Sequence, residues 1–254
     1  MHGVPSQEVD KRRHRMPSRA ETRQDIEKGL PTCHVPIMAV QPRAMSETSA
    51  STFRLDTDNW LDPMPLPSMF DRPQPLEVDV GCGKGRFLLA HARANPQCNF
   101  LGIDRMLRRI RKIDRKLVRQ ELSHVRLLRM EAYYAITYLV PEASVSTYYI
   151  FFPDPWPKKR HHRHRLFSPP FMDALQRTLL PGGIVHVATD HLTYAEEIKA
   201  LFEVDDRFSP SPVFVPGADE RTDFEQYYIE RGDVGRCSFL RLPTIEHGDP
   251  PLEN

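Results

Sequence analysis

The sequence predicts an α/β fold built on a doubly wound, mostly parallel sheet. Five short apolar runs alternate with stretches of helical period along residues 75–189, a pattern typical of parallel strands joined by crossover helices. A glycine-rich turn follows the first run, and acidic residues lie at the ends of three runs, where such sheets bind ligands. Two later apolar segments, 208–215 and 236–242, predict a closing hairpin at one sheet edge.

The five apolar runs are the predicted strands. They span residues 75–80, 99–103, 125–129, 146–152 and 184–189. After the second strand, apolar residues recur every three or four positions, which predicts a helix with its Arg and Lys side chains outward; these residues are Leu107, Ile110, Ile113 and Leu117. Residues 60–75 contain five prolines and predict an extended lead-in to the first strand.

The chain is predicted to hold one main domain. With 254 residues, 40% of them apolar, it can bury a sizeable core over residues 53–243. Residues 1–52 are polar and lack periodicity, which predicts a disordered extension, and residues 244–254 are expected to form a flexible tail. The four cysteines form no C-x-x-C pair, and no signal peptide or membrane-length apolar run is present, so we expect a cytoplasmic protein.

Charge is segregated along the chain although the net charge is only +1. Residues 105–119 hold eight Lys or Arg against one acid, and residues 158–165 hold five Lys or Arg and three His with no acid. Residues 190–233 reverse this, with twelve acidic against four basic residues. Such segregation predicts a basic face for a polyanion such as nucleic acid, and a solvated helix face and loop is the alternative.

The glycine-rich turn has the spacing G-x-G-x-G. Gly81, Gly83 and Gly85 follow a predicted strand and precede a predicted helix, so the backbone can turn tightly and approach a ligand closely. A dinucleotide site requires a sixth-position glycine, where this chain has Arg86. The spacing therefore favours S-adenosylmethionine over NAD, and a simple strand-to-helix turn is the alternative.

Three acidic residues lie at the ends of consecutive predicted strands. Asp79 lies beside the glycine turn, where it can bind an ammonium group, and Asp104 is placed to accept both hydroxyls of a ribose. Glu131 follows the third strand and is expected near an adenine. For each carboxylate, a helix N-cap or a surface position is the alternative.

Three segments carry a family resemblance. FFPDPWPKKRHHRHRL (151–166), VATDH (187–191) and TDFEQYYIERG (222–232) resemble the bacterial tRNA (guanine-N7-)-methyltransferase family, and the similarity runs from about residue 76 to 242. The resemblance implies a Rossmann-like S-adenosyl-L-methionine-dependent methyltransferase fold with a reversed last strand. It also implies methyl transfer to N7 of guanosine 46 in the variable loop of tRNA. Asp79 and Glu131 each exchange one acid for the other relative to common members.

The resemblance also implies roles for individual residues. The cofactor-binding residues would be Asp79, Asp104, Glu131 and Asp154 beside the three glycines, and the tRNA-binding residues would be Lys158, Asp190, Thr222, Asp223, Phe224 and Glu225. Asp154 is also the expected catalytic residue, because a carboxylate can orient guanine and stabilise the positive charge that develops on it. The basic residues from Lys158 to Arg165 are expected to face phosphates. The alternative for Asp190 is a helix N-cap, a role compatible with RNA contact, and Thr222 with Glu225 also fits a capping box.

Other functions remain as alternatives. An exocyclic-amine methyltransferase would carry a second proline after Asp154, where this chain has D-P-W. A tRNA-binding module without catalysis disagrees with the intact glycines and the strand-end acids, and a nicotinamide oxidoreductase disagrees with Arg86 in the glycine turn. The histidines at 161, 162 and 164 lack suitably spaced carboxylates or cysteines, so no metal is expected. Stacking on a base and packing against the protein are the two alternatives for Trp156, and the chain is expected to act as a monomer or homodimer.

Overall fold

The described residues form one eight-stranded sheet. The computed structural model describes residues 53–56, 59–228 and 232–243. The strands are β1 Arg54–Leu55, β2 Leu76–Val80, β3 Asn99–Ile103, β4 Val125–Leu128, β5 Val145–Phe151, β6 Leu179–Thr189, β7 Phe208–Pro210 and β8 Gly235–Arg241. Their spatial order is β1-β4-β3-β2-β5-β6-β8-β7. This arrangement confirms the predicted doubly wound sheet.

Most neighbouring strands are parallel, and the reversal comes at one edge. All pairs from β1 through β6 are parallel, whereas β8 runs antiparallel to both β6 and β7. All five residues of β3 are buried, as expected for a parallel strand covered on both faces. The predicted hairpin partners do pair, but residues 211–234 separate them, so their connection is a long excursion rather than a tight turn.

Helices cover both faces of the sheet. One face carries α1 (Arg86–Ala94) and α2 (Leu107–Gln120). The opposite face carries α3 (Ala132–Tyr134), which continues as a wider turn to Leu139, together with α4 (Pro169–Thr178) and α5 (Leu192–Glu203). A short helix, α6 (Asp223–Tyr228), lies within the 211–234 connection. Two 3₁₀ turns span Leu66–Met69 and Lys159–His164.

The amphipathic pattern of α2 is confirmed. Ile110, Ile113 and Leu117 are fully buried, and Leu107 is partly buried. The Arg and Lys residues of this helix lie on its outer sides, most of them exposed. Its one acid, Asp114, accepts a hydrogen bond from the N–H of Phe53 at 2.8 Å and pairs with Arg54, which ties β1 to the sheet edge.

The proline-rich lead-in is more ordered than the sequence predicts. Met64 and Leu66 are almost completely buried in the main core, and a 3₁₀ turn interrupts the extended chain. The N–H of Met64 donates to the carbonyl of Leu139 at 2.8 Å. Two apolar side chains between the prolines therefore anchor a segment whose prolines alone suggested only extension.

The predicted extension at 1–52 and tail at 244–254 lie outside the described residues, and the domain boundaries stay a prediction. Among the helices of the described ranges, none is both long and apolar enough to cross a bilayer.

Truncating Ile113 should destabilise the fold. Ile113 is fully buried against the glycine turn, so we expect Ile113→Ala to lower the free energy of unfolding by about 2–5 kcal/mol. Val118→Ala is a matched control, because Val118 lies on the same helix but is 49% exposed; its effect should stay within about 0.5 kcal/mol. Urea unfolding of both variants measures the difference, and equal effects would contradict this packing role.

Candidate active site

The carboxyl ends of β2, β3 and β5 meet at the centre of the sheet. β2 lies between β3 and β5, and the chain leaves these strands toward opposite faces. Such a switch in winding direction opens a crevice, which is where open α/β sheets bind ligands. The loops that follow these three strands carry most of the predicted site residues.

The glycine turn after β2 requires its glycines. Gly81, Gly83 and Gly85 all have positive φ angles, of 77°, 58° and 74°. A Cβ at Gly85 would lie 2.7 Å from Cγ1 of Ile113, closer than side chains pack. A Cβ at Gly81 would contact nothing within 4 Å, so the turn is open on that side. The turn is thus packed against α2 on one side and accessible to a ligand on the other.

Asp104 holds the glycine turn in place from the end of β3. It is buried, and its carboxylate accepts hydrogen bonds from the N–H of Gly83 at 3.1 Å and of Met106 at 2.7 Å. Arg109 donates to the same group at 3.1 Å. The predicted strand-end acid therefore connects two of the loops that border the crevice.

Asp79 is a buried carboxylate without a protein partner in the described ranges. It belongs to β2 opposite Gly102, and only 5% of its surface is exposed. Burial raises the pKa of Asp79 to about 7; the charge of His91 opposes this rise, and the charge of Asp104 adds to it. A cation bound beside Asp79 would relieve the cost of ionising this group.

Glu131 caps helix α3. Its carboxylate oxygens accept hydrogen bonds from the N–H groups of Tyr133 at 3.0 Å and Tyr134 at 2.9 Å. The side chain is exposed, so further acceptor positions remain open to solvent. The capping alternative is therefore present, and it is compatible with the predicted role beside an adenine.

The loop that carries Asp154 has an unusual backbone. Phe152 and Trp156 both have positive φ angles, 54° and 42°, in a region that costs non-glycine residues about 1–3 kcal/mol each. The N–H of Phe152 donates to the carbonyl of Ala188 at 2.7 Å. Asp154 is exposed and has no hydrogen bond or ion pair with any described residue. The loop thus presents an available carboxylate at the carboxyl edge of the sheet.

Arg165 does not face phosphates, contrary to the expectation from sequence. It is buried, donates from Nε to the carbonyl of Pro155 at 2.7 Å and pairs with Glu197. Its guanidinium also lies 4.6 Å from the ring centre of Tyr194. This cation braces the Asp154 loop against α5, and its desolvation is offset by these three contacts.

The other basic residues of this stretch are accessible. Lys158 is exposed, as are Lys159, Arg160 and Arg163 on the following 3₁₀ turn. Trp156 packs on that turn, with its ring 5.2 Å from His164 and 5.8 Å from His161. Across the described ranges, no group of three His, Cys, Asp or Glu side chains could hold a metal ion.

Asp190 follows β6 but does not cap the next helix. The cap of α5 is His191, whose Nδ1 accepts a hydrogen bond from the N–H of Tyr194 at 3.2 Å. Asp190 is partly exposed and has no polar partner among the residues described. Its carboxylate is therefore available for a ligand.

The run from Thr222 to Glu225 begins helix α6. Thr222 caps the helix, since its hydroxyl accepts from the N–H of Glu225 at 3.0 Å. The Glu225 side chain does not complete the capping box; it is buried and pairs with Arg236 on β8. One half of the predicted motif is thus replaced by a contact with the sheet.

Two contacts bring this run to the loops of the crevice. Asp223 pairs with Lys84 of the glycine turn at 3.6 Å between Nζ and Oδ2. Phe224 is exposed on one side and stacks on Phe152, with 5.7 Å between ring centres. The glycine turn, the Asp154 loop and the Thr222–Glu225 run are therefore neighbours.

A buried polar cluster behind the crevice was missed from sequence. His91 on α1 lies 2.9 Å from Glu220 through Nδ1, and its Nε2 lies 3.0 Å from the Tyr149 hydroxyl and 3.4 Å from Glu77. The Tyr149 hydroxyl donates to Glu77 at 3.0 Å. A glutamate inside an apolar strand, at position 77, was the available signal. The cluster fastens the segment before Thr222 to the sheet.

The protonation state of His91 follows from this cluster. Burial disfavours the charged ring, but hydrogen bonds and charges from Glu77 and Glu220 outweigh it and raise the pKa of His91 above 6.5. Burial likewise disfavours the Glu77 carboxylate, yet hydrogen bonds and the His91 charge leave the pKa of Glu77 below 4.5. Both shifts favour an ion pair near neutral pH.

This cluster predicts a pH-dependent stability. Because the folded-state pKa of His91 is raised, its contribution is fully present below about pH 6.5 and is lost as the pH rises through the folded-state value. Glu220→Gln should lower the pKa of His91 and flatten this dependence, as measured by NMR titration and by urea unfolding between about pH 6 and 9. Asp219→Asn is the matched control on an exposed neighbour; an equal effect there would contradict the pairing.

Comparison with known proteins shows that the chain is similar to a family of methyltransferases. Residues 73–228 match a family model described as "Putative methyltransferase". The chain is similar to proteins named tRNA (guanine-N(7)-)-methyltransferase from three bacteria. It is 40% identical over 148 residues to that of Nitrosococcus oceani, 34% over 184 residues to that of Mycobacterium avium, and 36% over 182 residues to that of Halorhodospira halophila.

The matched segments cover different shares of each chain. They span 58%, 71% and 70% of this chain, respectively. They span 63% of the Nitrosococcus oceani protein, less than two thirds of its length, and 68% and 79% of the other two. The family model alone covers more than half of the chain and includes the glycine turn, the Asp154 loop and the Thr222–Glu225 run.

Proposed function

Because the chain belongs to the tRNA (guanine-N(7)-)-methyltransferase family, we propose that it methylates N7 of guanosine 46 in the variable loop of tRNA. S-adenosylmethionine is the methyl donor in this proposal. The single observation that carries it is the meeting of the glycine turn, the Asp154 loop and the Thr222–Glu225 run through the Lys84–Asp223 and Phe152–Phe224 contacts. We propose that the protein acts in the cytoplasm, as a monomer or homodimer.

The residues of the crevice fit S-adenosylmethionine. Asp79 is a buried carboxylate that lacks a partner in the described chain and suits the ammonium group. Asp104 suits the ribose hydroxyls, Glu131 the adenine end, and the open side of Gly81 admits a ligand close to the backbone. When bound, this group supplies an electrophilic methyl on a sulfonium.

Asp154 orients the target base. Guanine N7 carries a lone pair and no proton, so its attack needs no general base, and alignment of the reacting atoms is the main requirement. An available carboxylate can accept hydrogen bonds from the N1–H and the exocyclic amine of guanine. Its negative charge also stabilises the purine as the purine becomes positive. The strained backbone around Asp154 supports a positioning role, since such strain is found at functional sites.

The surrounding residues are proposed to hold the RNA. Lys158 is exposed next to the Asp154 loop and suits a phosphate, and Asp190 is an available carboxylate at the neighbouring strand end. Phe224 has an exposed ring on which a base can stack. Thr222, Asp223 and Glu225 set the position of that ring through the helix cap, the Lys84 pair and the Arg236 pair.

Incubation with unmodified tRNA and labelled S-adenosylmethionine tests the activity. Strand scission specific for 7-methylguanosine should then map the label to position 46. Label at an exocyclic amine, or no transfer at all, would contradict the proposal. A tRNA with adenosine at position 46 is the matched control and should remain unlabelled.

Removing the charge of Asp154 should slow methyl transfer. We expect Asp154→Asn to lower kcat by about 10²–10³-fold, because it removes the anion that stabilises the developing purine charge. Asp206→Asn removes another exposed acid, in the loop between α5 and β7, and should leave kcat unchanged. Single-turnover methylation assays measure both. A wild-type rate in Asp154→Asn would refute the role given to this carboxylate.

Cofactor affinity should depend on the ionisation of Asp79. The pKa of Asp79 is about 7 in the free protein, and an ammonium ligand favours the ionised form, so binding releases a proton. Affinity should rise about tenfold per pH unit below pH 7 and level off above it. Asp79→Asn should weaken binding at pH 8 and remove this dependence, as measured by titration calorimetry. A wild-type affinity that is constant between about pH 5.5 and 7 would contradict the assignment.

A further inference from the structure

A basic groove lies between α1 and α2, beside the crevice. It is an open surface groove with a volume of about 400 Å³, and five cations line it: Lys84, Arg86, Arg93, Lys116 and Arg119. Two acids, Asp219 and Asp223, also line it, so the lining carries a net positive charge. None of the roles assigned above uses Arg86, Arg93, Lys116 or Arg119.

Part of this charge is held by contacts within the groove. Arg93 donates to the side chain of Gln120 at 2.8 Å, and Lys116 donates to the carbonyl of Lys84 at 3.3 Å. Arg86 and Arg119 are exposed and have no hydrogen bond or ion pair with any residue that the structure describes. Two guanidinium groups, one on each helix that borders the groove, are therefore available to a ligand. Guanidinium groups bind the oxygens of phosphates well.

Repulsion among the Arg and Lys side chains of α2 destabilises this helix, so its stability does not explain why these residues are there. Several Arg and Lys pairs of this helix lie four residues apart, among them Lys112–Lys116 and Arg115–Arg119, and such like-charged pairs destabilise it. The one acid of α2, Asp114, is committed to Phe53 and Arg54 at the sheet edge. A polyanion bound along the groove would offset this repulsion.

The groove has the dimensions of an extended ligand. Arg86 and Arg93 are seven residues apart on α1, about 10 Å along its axis. Along the axis of a DNA duplex, the phosphates of one strand recur about every 3.4 Å. The lining therefore matches several successive phosphates rather than one isolated phosphate.

The groove is also continuous with the proposed site. Lys84 belongs to the glycine turn, and its partner Asp223 belongs to the Thr222–Glu225 run. We infer that the groove formed by Lys84, Arg86, Arg93, Lys116 and Arg119 binds the phosphodiester backbone of the substrate tRNA outside the reacting nucleotide. This inference rests on the proposed function, because it takes the occupant to be the same tRNA.

The test compares two double variants of equal charge. Arg86→Gln with Arg119→Gln removes the two available cations of the groove. Arg111→Gln with Arg115→Gln removes two cations from α2 that do not line the groove. The Kd for tRNA is measured for each protein between about 50 and 200 mM salt, and the Kd for S-adenosylmethionine is measured in parallel.

The groove variant should lose two phosphate contacts. The slope of log Kd against log salt should then fall by about 1.4–1.8, which corresponds to a roughly tenfold smaller change in Kd over this salt range. The Arg111/Arg115 variant should change the slope by less than half as much. The Kd for S-adenosylmethionine should stay at the wild-type value in both variants.

Three results would overturn the inference. The first is an unchanged slope in the groove variant. The second is an equal change of slope in the two variants, which would indicate a diffuse positive field. The third is a weakened affinity of the groove variant for S-adenosylmethionine, which would assign these residues to the cofactor. Failure of the proposed function is distinguishable, since the wild-type protein would then neither bind nor methylate tRNA. If the wild-type protein methylates tRNA and the groove variant keeps the wild-type salt slope, only the role of the groove in tRNA binding is refuted.

Discussion

The close approach of α2 to the glycine turn is the constraint on which the crevice depends. Ile113 occupies the space that a side chain at position 85 would need, so only glycine allows the turn to form there. Asp104 then fixes the turn from its other side through the N–H of Gly83. Because both contacts come from the segment after β3, the geometry of the β2 loop is set by residues 21 and 28 positions further along the chain.

A second constraint comes from the connection between β7 and β8. This segment crosses the face of the sheet that α1 covers, where Phe214 packs on Tyr149, Phe151 and His186, and Glu220 meets His91. These contacts therefore fix the position of the chain just before Thr222. The precision of the Thr222–Glu225 run is supplied by a buried polar and aromatic layer rather than by the short helix that carries it.

Sequence reasoning succeeded where the signal is local. The period-two and period-three-to-four patterns predicted the five central strands and α2, and glycine spacing with strand-end acids predicted the crevice. It failed where a side chain's environment is decided by distant residues. The sequence suggests a surface cation at Arg165, but contacts with Glu197 and Tyr194 bury it. It suggests a helix cap at Glu225, but this side chain is buried in an ion pair with Arg236 of the sheet. The role of Glu77 becomes clear only from its contacts with His91 and Tyr149, which the sequence does not reveal.

The position of β8 has a consequence for how the molecule assembles. β8 lies between β6 and β7, yet it follows both in the chain. During synthesis, the preceding strands emerge first and leave one side of β6 unpaired until residues 235–241 arrive. Since Arg236 of that strand also secures Glu225, the Thr222–Glu225 run gains this anchor only after β8 has paired with β6.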